Sequence, residues 1–239
     1  MLDRYFIDSP ITAERAVLTG AEAHHLLHVM RAARGSRVTL FDGSGYEFEA
    51  AVERLGRSEV ELAILDRRQV DREAASALSL GVALPKGDRQ KWLVEKATEL
   101  GVARLVPLQT ERAVAQPGEN ALERLRRAVI EASKQCGRNR LMEIAAPRAW
   151  DDFLADHNEA ACRLVAHPGA EACASFAANE PVVVAVGPEG GFTEGEVTRA
   201  VACGWQLVNL GPRILRVETA ALALAAILID WKLPQNGFE

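Results

Sequence analysis

Two glycine-containing segments near the C-terminus carry side chains that could take part in a reaction. Gly187-Pro188-Glu189-Gly190-Gly191 follows the apolar run PVVVAV, and residues 211–219 follow the run WQLVNL and contain Arg213, Arg216 and Glu218. Glycine lets a backbone approach a ligand closely. Carboxylates can accept protons, and guanidinium groups can stabilise developing negative charge. The two segments therefore predict a ligand site, because charges confined to a loop between two buried elements are better placed for a site than for bulk solubility.

Plainer readings of the same residues stay open. The first segment could only form a turn before a helix capped by Thr193 and Glu196, and Glu218 could only be a carboxylate in the first turn of a helix. Arg213 and Arg216 could belong to a solvated surface. Neither a Walker-type phosphate loop nor a glycine fingerprint of a dinucleotide-binding fold occurs in the sequence, which excludes the P-loop NTPase and Rossmann oxidoreductase classes.

The elements around these segments predict an α/β domain from residue 78 onward. Short apolar runs alternate with helical patterns, which is typical of a parallel sheet covered on both faces. In such sheets ligands bind beyond the carboxyl ends of the strands. The run CRLVAH leads into a third turn there, Pro168-Gly169. The expected strands are LSLGVALP, ARLVPLQ, CRLVAH, PVVVAV and WQLVNL, and the expected helices span 88–100, 120–136, 194–203 and 218–231.

Residues 1–70 predict a separate, β-rich domain. Three runs, 37–41, 46–52 and 59–65, show partial apolar–polar alternation and are joined by turn residues, which indicates a β-meander. One helix interrupts it, and its start at Thr19 to Glu22 fits a capping box. Residues 71–77 are charged and poor in strand formers, so they are expected to be a linker between this domain and residues 78–239.

The charge distribution leaves a nucleic-acid partner open although the chain is acidic overall. The formal net charge is −5. Residues 81–145 alone carry a net charge of +4, with basic clusters at 85–89 and 135–140. Phosphate contacts need local clusters of Lys and Arg rather than a basic whole. The alternative is a helix surface with interspersed acidic partners.

Neither a metal site nor a membrane segment is expected. The four cysteines contain no Cys-x-x-Cys pair, so reduced thiols are expected. His24 and His28 have a spacing that could bind a metal, but no further ligand accompanies them, and a packed or surface helix face is favoured. No secretory signal is recognisable, and the longest apolar run, 220–229, is too short for a membrane span. The expected location is the cytoplasm.

Several segments together resemble the RsmE family of bacterial enzymes, which methylate N3 of a uridine in 16S ribosomal RNA (the uridine-1498 position). The resemblance runs in order from Arg4 to the final helix. It rests on Leu40-Phe41-Asp42-Gly43, Pro85-Lys86-Gly87-Asp88, EKATELGV at 95–102, Pro107-Leu108 with Thr110-Glu111-Arg112, Glu131-Ala132 with Gln135-Cys136-Gly137-Arg138, GPEGG at 187–191 and LGPRILRVETA at 210–220.

This resemblance implies a small PUA-like β-barrel followed by an α/β methyltransferase domain of the SPOUT type, whose C-terminal segment forms a trefoil knot. It further implies a homodimer that uses S-adenosyl-L-methionine (SAM) and acts on 16S rRNA of the small ribosomal subunit. The residues that would bind the cofactor are Ala166, His167, Gly187, Pro188, Glu189, Gly190, Gly191, Leu210, Gly211, Ile214, Leu215, Arg216 and Thr219.

Catalytic residues are expected from the chemistry of the implied reaction, and RNA-binding residues from the family match and from local charge. Uracil N3 carries a proton at neutral pH, and its loss spreads negative charge onto O2 and O4. Arg216 is expected to stabilise that charge, with Glu218 or Glu189 as proton acceptor. RNA contacts are expected from Arg4, Arg31, Lys86, Arg89, Arg112 and Arg138. The alternatives are a SPOUT methyltransferase acting on another RNA base and a non-catalytic RNA-binding assembly factor.

Overall fold

The computed structural model describes residues 3–157, 160, 162–170 and 180–229. The chain divides into two compact units. The first comprises Met1–Glu73 and Ser133–Leu141, and the second comprises Ala74–Ala132 and Met142–Glu239. No helix in the described part of the chain has the length and apolar character needed to cross a bilayer.

The first unit is built on a five-stranded sheet in the order β1-β3-β4-β5-β2. Alternate residues face inward along its strands, as Ala16 and Leu18 do on β2, because side chains of a strand alternate between two faces. Two register shifts between β4 and β5 bend the pair. The predicted meander is present as β3, β4 and β5, and the strands are β1 (Arg4–Phe6), β2 (Arg15–Thr19), β3 (Arg37–Phe41), β4 (Tyr46–Leu55) and β5 (Glu59–Gln69).

A short helix, α1 (Gly20–His24), continues into a π-helical turn at His25–Val29. The predicted capping box at its start is wrong, because the Thr19 side chain makes no capping hydrogen bond. The Glu22 carboxylate instead accepts a hydrogen bond of 2.9 Å from Nζ of Lys134. An ion pair with a distant residue has thus replaced the local contact that the sequence pattern indicated.

The second unit contains a parallel sheet in the order β12-β10-β11-β6-β7-β8, and β9 pairs with β7. The predicted parallel α/β arrangement is therefore present. The knot implied by the resemblance stays a prediction, since residues 230–239 lie outside the described part. The strands are β6 (Leu78–Val82), β7 (Arg104–Gln109), β8 (Glu143–Ile144), β9 (Arg148–Ala149), β10 (Cys162–Ala166), β11 (Val182–Val186) and β12 (Gln206–Val208).

Helices follow the strands, and most begin within a residue or two of the predicted positions. Gly101 ends α2 in a left-handed conformation with φ of 93°, a conformation that favours glycine. The helix predicted at 218–231 is observed to Leu228, and residues 230 and 231 lie outside the described part. The helices are α2 (Arg89–Leu100), α3 (Glu119–Cys136), α4 (Trp150–Asp156), α5 (Glu194–Ala202) and α6 (Val217–Leu228).

An aromatic cluster under the sheet fixes the loop that follows β11. The Trp150 ring lies 4.4 Å from the Phe192 ring, measured between centroids, and Trp150 also contacts Phe153 and Trp205. All four are buried. The Trp150 indole N–H donates to the backbone oxygen of Glu196 at 3.1 Å. Phe192 therefore anchors the C-terminal end of the glycine-rich loop in the core.

Candidate ligand site at the carboxyl edge of the sheet

The glycine-rich loop leaves the fully buried strand β11 through a tight turn. The backbone N–H of Gly191 donates to the oxygen of Pro188 at 2.8 Å, and Gly191 has φ of +70°. A Cβ at Gly187 would lie 3.0 Å from the Phe192 ring. The loop therefore requires glycine at Gly187 for space and at Gly191 for backbone conformation.

The next element, α5, begins with the capping box that Thr193 and Glu196 predict. The Thr193 hydroxyl accepts from the Glu196 backbone N–H at 3.3 Å, and the Glu196 carboxylate accepts from the Thr193 N–H at 2.8 Å. Glu196 also accepts from the backbone N–H of Glu111 at 2.9 Å. The capped helix start thus joins the loop after β11 to the loop after β7.

Asn209 connects the two remaining loops of the site. Its side-chain amide donates to the backbone oxygens of Pro168 and Ala170 at 2.9 and 3.1 Å, and its oxygen accepts from the Gly211 N–H at 3.0 Å. The sequence interpretation missed this residue. Its position in the sequence could have indicated this role, because Asn209 follows β12 directly and asparagine commonly bonds to nearby backbone groups in turns.

The loops that follow β10, β11 and β12 line a cavity of about 390 Å³. Strands β12, β10 and β11 are neighbours in the sheet, so their carboxyl ends bring the loops together as expected for an open α/β sheet. The lining residues are Arg112, Ala166, His167, Pro168, Gly169, Val186, Gly187, Pro188, Glu189, Gly190, Gly191, Phe192, Val208, Asn209, Leu210, Arg213, Ile214, Leu215, Val217 and Ala220.

The structure brings ten of the thirteen expected cofactor-binding residues into this lining and places the other three outside it. Arg216 is the exposed N-terminal cap residue of α6. Thr219 is exposed on that helix, and Gly211 is exposed in the preceding loop. Arg213, which lies in the predicted ligand segment but is not among the thirteen, also lines the cavity.

The two carboxylates expected to act as proton acceptors occupy different environments. Glu189 lines the cavity, and its side chain is 42% exposed. Glu218 is buried in the first turn of α6 and does not line the cavity. Arg89, expected to contact RNA, lies between them: its Nη2 donates to Glu189 at 3.0 Å, and its Nη1 lies 3.6 Å from Glu218.

Arg112 contacts the glycine-rich loop directly. Its Nη1 donates to the backbone oxygen of Gly190 at 2.7 Å, and its side chain lines the cavity. The residue is otherwise exposed. A cation therefore lines the cavity beside the glycine-rich loop.

The other residues expected to bind RNA fall into two groups. Lys86 and Arg31 are exposed, and Arg31 has a positive φ of 51°. Arg4 and Arg138 lie in the first unit: the Arg4 side chain is 8% exposed and pairs with Glu47, and Arg138 is 4% exposed and pairs with Glu73. In this structure a phosphate could reach the last two guanidinium groups only by breaking those ion pairs, which favours an internal, bracing role for them.

Ion pairs of the first unit shift the pKa of one carboxyl. Burial alone would raise the pKa of Glu47, but hydrogen bonds from Arg72 and Arg4 outweigh it and hold that pKa below its ordinary value. Asn139 completes the network by accepting from Arg4 at 2.6 Å and donating to the Val70 oxygen at 3.1 Å. The cluster stabilises the end of the sheet.

The histidine pair on α1 and its π-helical extension shows ring packing rather than a ligand set. The rings of His24 and His28 lie 4.6 Å apart, and both residues are exposed. No group of three or more potential ligands that could hold a metal ion occurs among the residues that the structure describes.

Comparison with known proteins identifies the class to which this fold and site belong. Residues 72–229 match the family model described as an RNA methyltransferase domain, and residues 18–65 match that of an RNA methyltransferase PUA domain. The ribosomal RNA small subunit methyltransferase E of Synechocystis sp. is 36% identical over 88% of this chain and 71% of its own length. The enzyme of the same name from Bacillus subtilis is 29% identical over 97% of this chain and 98% of its own.

Solved structures of similar proteins have the same fold. The ribosomal RNA small subunit methyltransferase E of Neisseria gonorrhoeae, bound to SAM, is 29% identical and superposes with a TM-score of 0.86 over 95% of this chain and 97% of its own. The Legionella pneumophila protein Lpg2936, in complex with SAM, is 30% identical with a TM-score of 0.89 over the same shares.

The fold is therefore that of an RNA methyltransferase with an N-terminal PUA-like domain. Within that class the chain belongs to the ribosomal RNA small subunit methyltransferase E, or RsmE, family. The resemblance on which the sequence analysis relied is confirmed, as are the α/β methyltransferase fold and the PUA-like domain.

Proposed function

We propose that this protein transfers the methyl group of SAM to N3 of a specific uridine in 16S ribosomal RNA. The observation that carries the proposal is the cavity walled by three loops at the carboxyl edge of the parallel sheet. Relatives with the same fold were solved with SAM bound. The choice of N3 and of a single uridine rests on the resemblance to the RsmE family.

The cavity fits a nucleoside cofactor. Its volume of about 390 Å³ lies in the range of small-molecule sites. The three loops present backbone groups, and a Cβ at Gly190 would come within 3.3 Å of Arg112, so the wall there is close-packed. Residues Ala166 to Gly169, Gly187 to Gly191 and Leu210 to Leu215 would hold SAM, whose sulfonium supplies an electrophilic methyl group when bound.

Residues of the chain must handle the N3 proton and position the base. Glu189 is better placed than Glu218 to accept the proton, because Glu189 lines the cavity and Glu218 does not. Geometry is the first requirement for a general base. Arg216 is proposed to stabilise the charge on O2 and O4 from its exposed position at the start of α6. Positioning of the base against the methyl group supplies much of the remaining rate enhancement.

RNA would be bound by exposed cations, namely Lys86, Arg31 and Arg112, in the cytoplasm. The basic side chains would neutralise phosphates, so binding should weaken steeply with salt.

A homodimer is proposed as the active form. The outer face of α6 is apolar, and Ile227 on it is 62% exposed. Such a face is typical of a subunit interface. Sedimentation velocity should show a dimer that Ile227→Glu converts to monomer, and a monomeric wild-type protein would contradict the proposal.

The decisive experiment is a methyl-transfer assay with labelled SAM. Small subunits and naked 16S rRNA, both from cells that lack the activity, are incubated with the protein, and the modified nucleotide is mapped by mass spectrometry. Subunits from cells that retain the activity serve as the control, since their target is already methylated and should take up little label.

Three outcomes separate the candidate functions. Label on N3 of one uridine supports the proposal. Label on another base or atom would show a related methyltransferase with a different target. RNA binding without transfer, in a protein that still binds SAM, would indicate an assembly factor.

A further inference from the structure

Arg89 makes two ion pairs, and they join two walls of the cavity. One partner, Glu189, lies in the loop after β11, and the other, Glu218, lies in the first turn of α6. Both walls contribute lining residues, Glu189 from the loop and Val217 from α6. Arg89 itself begins α2 and does not line the cavity.

The pair with Glu218 is the more buried of the two. The Glu218 side chain is 7% exposed, against 39% for Arg89. Its Oε2 is buried and accepts no hydrogen bond in the described part of the chain, and Arg89 Nη1, at 3.6 Å, is the cation opposite it. A buried carboxylate without a compensating charge is strongly destabilising. The ion pair with Glu218, in the first turn of α6, therefore favours keeping the Arg89 guanidinium beside this helix.

The pair with Glu189 uses the other nitrogen of the same guanidinium. Nη2 donates to Glu189 Oε1 at 3.0 Å, a length at which charge-assisted hydrogen bonds form. Because Nη1 faces the buried Glu218 at 3.6 Å, that ion pair restricts the positions that Nη2 can take. The planar fork of arginine suits such a bridge, whereas the single ammonium of lysine does not.

We infer that Arg89 is a positioning residue that fixes the glycine-rich loop by bridging Glu189 to the buried Glu218. The inference rests on the proposed function in assigning SAM to the cavity. It replaces the expected role of Arg89 as an RNA contact, since both of its outer nitrogens already face carboxylates. The loop would be ordered before the cofactor arrives, which lowers the cost of binding.

Hydrogen–deuterium exchange of the free protein tests the bridge without any cofactor. Arg89→Ala should speed exchange of the amides at 187–191, including the Gly191 N–H. Lys91→Ala is the matched control, because Lys91 lies on the same helix and pairs only with Glu95 among the interactions that the structure shows for it. Loop exchange that is equal in wild type and the Arg89 variant would overturn the inference.

SAM affinity, measured by calorimetry without RNA, gives the second readout. Arg89→Ala should weaken SAM binding about tenfold, the effect of losing roughly one partly exposed charge-assisted hydrogen bond. In a double variant with Glu189→Gln the two losses should be less than additive, because both changes break the same link. Additive losses would show that Arg89 acts without Glu189 and would contradict the bridge.

Arg89→Lys is a second variant that tests the bridge if Arg89→Ala does not fold. It keeps a cation near Glu218 but cannot hold both carboxylates in a fork, so its melting temperature should stay near that of wild type while SAM binding is still weakened. Wild-type SAM affinity in Arg89→Lys would refute the bridge.

RNA binding separates this role from the one expected from sequence. An RNA contact predicts unchanged SAM affinity and a smaller salt dependence of RNA binding in Arg89→Ala, and that result would overturn the inference. A wild-type protein that binds no SAM would instead refute the proposed function, and the exchange experiment would still decide whether the bridge orders the loop.

Discussion

Gly187→Ala is the sharpest test of the cavity, because the cost of the added methyl group can be worked out from the structure. The new Cβ would lie 3.0 and 3.1 Å from two carbons of the Phe192 ring and 3.2 Å from the Phe192 backbone nitrogen. The ring cannot move aside easily, since it is buried against Trp150.

Overpacking of this kind costs about 1–3 kcal/mol. If the loop absorbs the strain by moving, SAM binding should weaken about tenfold for each 1.4 kcal/mol, so a loss of roughly fivefold to a hundredfold is expected. Calorimetric titration with SAM measures the loss of affinity. A thermal melt measures how far the strain lowers the stability of the whole domain.

Two alanine variants serve as controls for this prediction. Gly118→Ala adds a methyl group with nothing within 4 Å and should leave both readouts unchanged. Gly81→Ala places a Cβ 2.5 Å from the Phe153 ring, so it should lower the melting temperature more than it lowers SAM affinity. A Gly187→Ala protein with wild-type affinity and melting temperature would show that the cavity wall is not packed as described.

Three further predictions concern single side chains. Arg216→Ala should lower kcat by at least about tenfold with little change in SAM affinity, because its charge acts in the transition state; an unchanged kcat would remove it from catalysis. Lys86→Ala should reduce the salt slope of RNA binding by about one, whereas Arg138→Met should lower the melting temperature and leave the slope alone, and a reduced slope would place Arg138 on the RNA. Burial raises the pKa of Tyr5 to about 12, so the stability that its neutral form contributes is complete below pH 10 and falls as the pH rises toward 12. Urea melts across that range should show a weaker pH dependence for Tyr5→Phe, and identical pH profiles would contradict this assignment.

Local patterns predicted most elements, because their signals lie within a few neighbouring residues. The Thr193–Glu196 capping box and the glycine that ends α2 are both present where the sequence indicates them. The Thr19–Glu22 pattern has the same form, yet Glu22 pairs with Lys134 instead. A local pattern cannot show that a distant cation competes for the same carboxylate.

The loops of the candidate site could be located from sequence, but the partners of their charged residues could not. From sequence, Arg4, Arg89 and Arg138 are expected to contact RNA because they are basic and lie in segments that match the family. Their partners, such as Glu189 for Arg89 and Glu73 for Arg138, are far away in the sequence. Only the fold shows that these guanidinium groups are occupied by internal carboxylates.

The ion-pair cluster of the first unit also sets an order of events during synthesis. That unit includes Ser133–Leu141, so the five strands are translated well before the residues that complete their hydrogen bonds. Until Asn139 emerges from the ribosome, the Val70 oxygen lacks the amide that it accepts from, and Arg4 lacks one acceptor. A gene fragment ending at Glu73 would thus encode every strand of the sheet but an unfinished folding unit. The first unit is compact in space, but two separate segments of the chain form it.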